Sequence, residues 1–281
     1  MSNSTTFKDS AKPTMTERAG GEERSLRARA GTLMLCLDTA TEMRSVAVVR
    51  GSTPLSLCAG SLHESGASSI LSDLDEALRA AGTGLREIEL LGVCTGPGSF
   101  TGLRAGLATV KALAASLRKP VVGVPTLHAI AYHARPAARL VAMLPAGRGE
   151  VFAQLLRVGE QGDVEELGAA VHLSPAKLLE SALSLGGGLK WAGGGAAKYL
   201  EQIGEAARAA GRALSQISAE RREPAEGEWL FEQTPEVLAH GVAALALSSW
   251  QAGSATSAEH LRAIYVRPSD AELNERCHEP G

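Results

Sequence analysis

Gly96-Pro97-Gly98-Ser99-Phe100-Thr101-Gly102-Leu103-Arg104 follows the apolar run 90–94 and opens an Ala/Leu-rich stretch that ends before Pro120. A buried strand that runs through a glycine-rich turn into a helix belongs to a partly parallel sheet with helices on its faces. The three glycines allow positive φ and close backbone approach. Ser99 and Thr101 are suited to cap the helix, whose amide end attracts anions. Two readings therefore fit this loop. Gly96, Gly98, Ser99, Thr101, Gly102 and Arg104 form a cradle for a phosphate or carboxylate, or the loop is a tight turn that lets the helix press on the sheet.

Upstream, 33–37 is a nearly continuous apolar strand interrupted by Asp38-Thr39-Ala40-Thr41, and 45–49 resumes extended character. Gly51 and Pro54 mark a turn, and 55–59 returns as a third strand. A helix is predicted over 65–81, with Ile70, Leu71, Leu74, Ala77 and Leu78 on one stripe and Gly82 as its stop. Downstream, 121–124 is a strand and Thr126 opens a short helix towards His133. From Arg139 the pattern restarts: strands 140–144 and 150–158 around Pro145-Ala146-Gly147, then a helix capped by Ser174-Pro175. Trp191-Ala192 leads into Gly193-Gly194-Gly195 and another helix, 220–228 is a charged loop, and 235–250 is an amphipathic helix. Strand-turn-strand followed by helix occurs twice, so an α/β fold of two related lobes is expected, at 32–138 and 139–281. Residues 1–31 are polar and short of apolar side chains, as a disordered tail would be.

The formal net charge of −3 supplies no global basic field for nucleic-acid binding. If the chain acts on RNA, a partner is expected to bring the cationic surface. The four cysteines, Cys36, Cys58, Cys94 and Cys277, form no C-x-x-C pair and suit a reducing compartment. No secretory leader and no membrane-length apolar run is present, so a cytoplasmic location is expected. There is no G-x-S-x-G elbow or Ser/His/Asp set for acyl transfer. His128 and His133 are five apart, about 500° around a helix, and share no face.

Taken together, Leu37-Asp38-Thr39-Ala40-Thr41, Gly96 to Arg104, and Gly123-Val124-Pro125-Thr126-Leu127 resemble the TsaB (YeaZ-like) family of the TsaD-related superfamily. The resemblance is strong from about Leu33 to Ala131. It weakens through Gly149-Glu150-Val151-Phe152 and returns at Ala263-Ile264-Tyr265-Val266-Arg267, similar to the family's carboxy-terminal strand. It implies an actin/Hsp70-like fold of two lobes, with mixed sheets flanked by helices. It also implies a non-catalytic subunit that binds TsaD directly and meets the ATPase TsaE and tRNA through the complex. TsaD then transfers threonylcarbamoyl to N6 of adenosine 37 in tRNAs reading ANN codons, giving t6A. A second copy of the chain is the implied partner when TsaD is absent.

Phosphotransferases of the actin/Hsp70 class place a glycine after the Asp of the first hairpin to bring amides to a nucleotide. Here Ala40 stands in that region, so Asp38 and Thr39 are expected to serve the turn. The matching strand of the second lobe ends in Leu144-Pro145-Ala146-Gly147, without a carboxylate before Glu150 and without the Asp-Ala-Arg common in the family. Thr126 and Ile130 stand where TsaD carries its paired metal-binding histidines. No catalytic residue, metal site or required cofactor is therefore expected. Weak nucleotide binding at Asp38, Thr39 or Gly194 is left open, and a stand-alone actin-like ATPase or kinase is the alternative. In the family, the helices equivalent to 65–81 and 102–118 form a four-helix interface with TsaD, which suggests Ile70, Leu74, Leu78, Leu103, Gly106, Leu107 and Val110 as contacts. Whether Gly106 or Ala108 points outward is not readable from the sequence.

Overall fold

A computed structural model describes residues 31–61, 67–217 and 222–266. The expected tail falls, but for Gly31, outside the described residues, as do Arg221 and Arg267. The first sheet has the order β3-β2-β1-β4-β5. Its strands are β1 (Leu33–Asp38), β2 (Met43–Arg50), β3 (Thr53–Ser61), β4 (Leu90–Gly96) and β5 (Val121–Pro125). β1, β2 and β3 form an antiparallel meander, whereas β4 joins β1 and β5 joins β4 in parallel. The parallel steps need crossover helices. Helix α1 (Ala67–Ala80) precedes β4, and α2 (Phe100–Leu117) connects β4 to β5.

The second sheet repeats the plan with β6 (Ala137–Gly147), β7 (Glu150–Val158), β8 (Val164–Glu166) and β9 (Val171–Leu173) as its meander. β10 (Leu189–Ala192) and β12 (Glu228–Glu232) add in parallel, and β11 (Ala213–Ile217) lies beyond them. Helix α3 (Thr126–His133) follows β5 as α7 (Ala239–Gln251) follows β12, and both lie between the sheets. α4 (Pro175–Leu183), α5 (Gly194–Lys198) and α6 (Leu200–Ala209) cover the outer face of the second sheet. The result is two lobes of mixed sheets flanked by helices, as the resemblance implied.

Strand alternation sorts the core into three layers. On β1, Met34 and Cys36 face α3 and α7, while Leu33, Leu35 and Leu37 face α1 and α2. On the second sheet, Leu140, Ala142 and Leu144 face the shared layer, and Val141 and Met143 face the outer helices. Both faces of the central strands are covered, so their apolar runs are continuous rather than alternating.

The lobes meet around one buried ion. Lys190 of β10 is fully buried and its Nζ donates to Ala134 O (3.2 Å), Pro136 O (2.9 Å) and Glu232 Oε2 (2.8 Å). Ala134 caps the C-terminus of α3, where a cation also meets the negative end of the helix dipole.

Three expectations are corrected. Residues 235–250 do not all form a helix: α7 begins at Ala239, where Ser45 Oγ of β2 accepts from Ala239 N at 3.1 Å, and its buried residues lie between two sheets. Residues past 252 do not stay with the second lobe. Thr256 bridges to Val121, and Leu261 is buried on the outer face of the first sheet. Residues 263–266 form no strand, although Ile264 N donates to Thr95 O at 2.7 Å. Among the described residues no helix is long and apolar enough to cross a membrane.

Truncating only one member of a buried charge pair leaves the other uncompensated. Lys190→Met should therefore cost about 3–5 kcal/mol in chemical denaturation, and Lys190→Met/Glu232→Leu should recover most of that loss.

Candidate functional site

The Asp38-Thr39-Ala40-Thr41 turn sits on the glycine-rich loop. Asp38 Oδ1 accepts from Ala40 N at 2.8 Å, and Oδ2 accepts from the Thr41 hydroxyl, closing the turn through one side chain. Ala40 O in turn accepts from Ser99 N at 2.8 Å. A Cβ at Gly98 would overlap the Ala40 carbonyl, one at Gly102 the Thr39 carbonyl, and one at Gly106 the Thr39 hydroxyl. Ser99 Oγ caps α2 by accepting from Gly102 N at 3.2 Å. The space beside these three glycines is therefore taken by the protein's own turn. Of the two readings of the loop, this geometry is that of the close-packing turn.

Asp38 is completely buried. Burial raises its pKa, opposed by the bonds from Thr41, Ala40 and the Cys94 thiol. Cys94 is pushed well above its ordinary value by burial, reinforced by the Asp38 charge, and burial pushes Cys36 up to about 12. Neither thiol is a nucleophile near neutral pH. Thr126 and Ile130 are buried at the start of α3. His128 instead faces Glu166 of β8 (3.1 Å) from the side of α3, with its pKa lowered by burial against the opposing pull of that carboxylate. His133 meets Tyr132 edge-on, with the His240 ring tilted 6.4 Å away. No cluster of three or more potential metal-ligating side chains occurs among the described residues.

Gly194 lies apart from the first-lobe loop, with Pro145 Cδ 3.8 Å from the Cβ position built on it. Gly193 has φ +96°, and a Cβ at Gly195 would meet Met143 and Leu144, so this triplet seats α5 on the end of β6. Arg104 and Thr101 are exposed, and the Arg104 guanidinium stacks on Phe100 at 3.7 Å.

The helix faces correct the expected contacts. Ile70, Leu103, Gly106, Leu107 and Val110 are buried within the chain, against the first sheet and the 38–41 turn, whereas buried Leu74 and half-buried Leu78 also reach the groove between α1 and α2. Gly106 points at Thr39 and Ala108 points outward. The surface that remains open differs. Leu71 is 59% exposed. With Leu74, Leu78, Leu85 and Leu113 it lines a groove of about 430 Å³ between α1 and α2, rimmed by the Asp75–Arg79 ion pair. Arg44 of β2, itself buried, fixes α1 through Asp73 at 2.5 Å. The sequence places Leu71 on the apolar stripe of α1, although not among the expected contacts. Leu85 lies in a 3-10 turn without periodicity, and only the fold brings it to the groove.

Comparison with known proteins bears on this site. The TsaD family model, described as tRNA N6-adenosine threonylcarbamoyltransferase, matches residues 63–211, more than half of the chain. The tRNA threonylcarbamoyladenosine biosynthesis protein TsaB of Haemophilus influenzae is 36% identical over 139 residues, covering 47% of this chain and 58% of the relative. The Escherichia coli protein of the same name is 36% identical over 125 residues, 42% of this chain and 52% of its own length. The chain thus spans about half the length of the curated relatives it matches. The structure of YeaZ from Pseudomonas aeruginosa is 25% identical with a TM-score of 0.64, over 83% of this chain and 99% of that one.

Two outcomes follow from the turn. Gly102→Ala should lower stability by about 1–3 kcal/mol in urea denaturation, because the Thr39 carbonyl must move. The raised native pKa of Asp38 makes its contribution complete below the unfolded value and lost as pH rises through the native value. Asp38→Asn carries no such loss, so wild type should lose ground to this variant as urea midpoints are followed from about pH 3 to about pH 7.

Proposed function

We propose a function on the premise that this chain belongs to the TsaD family and is a TsaB/YeaZ-like member of it. It is a non-catalytic subunit of cytoplasmic threonylcarbamoyladenosine synthesis that binds TsaD through the exposed face of α1 and α2. TsaE and tRNA join through that complex, and TsaD performs the transfer to adenosine. No cofactor of its own is required.

One observation carries this proposal: the open apolar groove between α1 and α2, with a 59%-exposed leucine beside it, on a lobe whose ancestral ligand end is filled. Large exposed leucines in a groove cost hydration unless something covers them. Two helices about 21 Å and 27 Å long give a partner a rigid surface. The filled loop supports the non-catalytic part. Both Asp38 oxygens accept hydrogen bonds from its own turn, and Ser99 N donates to Ala40 O, so these groups already serve the loop's own packing. The second lobe offers Pro145 and Ala146 where a second carboxylate would be needed.

The decisive assay is reconstitution of tRNA modification with purified TsaD, TsaE and the threonylcarbamoyl-adenylate supply, with and without this chain. Modification should depend on its addition. Leu71→Glu/Leu113→Glu should weaken TsaD binding by at least about tenfold, as for a central contact, while the thermal transition stays near wild type. Equal modification without the chain, or full TsaD binding by the double variant, would remove the proposal.

A further inference from the structure

Helix α2 carries a second pattern, on the side turned away from the sheet. Thr101, Ala108 and Ala115 recur every seven residues, and Ala105 and Ala112 recur between them. All are small, and all are exposed or half-buried, while Leu103, Leu107 and Val110 occupy the opposite buried face. A seam of small residues lets a second helix approach to about 8 Å. Arg104 and Lys111, with Arg118 at the helix C-cap, also recur every seven residues, on the flank of that seam away from α1. Their Cα atoms stand about 10.5 Å apart along the axis. Arg104 and Arg118 are exposed and Lys111 is half-buried.

These three cations lack a carboxylate partner among the described residues, and α2 itself contains no Asp or Glu. The Arg104 guanidinium lies over the Phe100 ring at 3.7 Å, and that ring lies 5.7 Å from Tyr265. In a two-helix seam, positions flanking the small residues face the flanks of the partner helix. When two helices run antiparallel, like flanks meet. A second copy of α2 would then bring Arg104, Lys111 and Arg118 against the same three cations. When helices run parallel, the cationic flank meets the opposite flank, which here is Gly102, Thr109 and Ser116. Neither direction supplies a carboxylate.

We infer that the cationic flank of α2 selects a partner helix carrying carboxylates opposite Arg104, Lys111 and Arg118, and disfavours α2-to-α2 pairing of two copies of this chain. The occupant is an acidic-flanked helix of a TsaD-family protein, and this rests on the docking proposed above. The family model matches across both α1 and α2, so a TsaD-family partner has equivalent helices to present. The small seam fixes close approach, whereas the flanking charges decide which helix is admitted.

The test has two arms. In the first, binding of the full chain to purified TsaD is measured at about 0.1 M and about 1 M salt, where the screening length is about 10 Å and about 3 Å. Wild-type affinity should fall at least about tenfold between them, since exposed charge pairs are screened. Arg104→Glu/Lys111→Glu should lose binding at low salt, and Arg104→Gln/Lys111→Gln should bind more weakly with a flatter salt dependence. In the second arm, which needs no TsaD, wild type is mixed with Arg104→Glu/Lys111→Glu in sedimentation experiments at low salt. The mixture should form a mixed dimer that exceeds the dimer of either protein alone. Unchanged circular dichroism and melting establish that the variants fold. Salt-independent TsaD binding unaffected by charge reversal would overturn the inference, as would a wild-type dimer stronger than the mixed one. Absence of any wild-type TsaD binding would instead count against the proposed function, and the second arm would still decide the charge selection.

Discussion

The contact on which the first lobe depends is the packing of the 38–41 turn against Gly98, Gly102 and Gly106. Three positions without a Cβ let the Thr39 and Ala40 carbonyls and the Thr39 side chain lie directly on the loop and the first turns of α2. Asp38 closes that turn from inside, and Ser99 N ties it to the loop. The consequence is geometric. With its first two turns pressed into the sheet, α2 must show its alanine face to the outside. The same contact occupies the strand ends where a parallel α/β sheet ordinarily receives a ligand.

Much of this was legible. The strand-turn-helix around Gly96 to Arg104, the first-lobe strands, the helix after Ser174 and the turn into Gly194 all fall where periodicity and turn residues put them. The contact face of α2 was not legible. Leu103, Leu107 and Val110 are the bulkiest apolar residues of that helix, and bulk alone does not distinguish a partner from the chain's own sheet. The sheet, being local and obligatory, takes them. What is left outside is Ala108, Ala112 and Ala115, which look inert in a sequence. β11 and β12 were missed because 213–217 and 228–232 are short and mix polar with apolar residues. β12 pairs in parallel with both β11 and β10, across intervening loops and helices, and no local signal records such pairing. The return of residues 256–264 to the first lobe joins backbone contacts of Thr256 with Val121 and Ile264 with Thr95 to the single large buried side chain of Leu261, too little for a periodic signal.

The two lobes repeat one plan but have diverged in what their matching ends hold. In the first, a buried Asp and a thiol face each other under a threonine. In the second, Pro145 and the glycine triplet pack α5 onto the strand end. Between them, Lys190 and Glu232 join the second sheet to the C-terminus of α3. Leucines on α1 and α2 face outward, beside Arg104, Lys111 and Arg118, which lack a carboxylate partner among the described residues.

The most direct measurement is amide hydrogen exchange on the chain with and without saturating TsaD. The account predicts new protection confined to residues 70–85 and 100–118, with 144–149 and 193–198 exchanging as in the free chain. Protection concentrated at 144–149 and 193–198, with α1 and α2 unchanged, would contradict it by locating the working surface in the cleft.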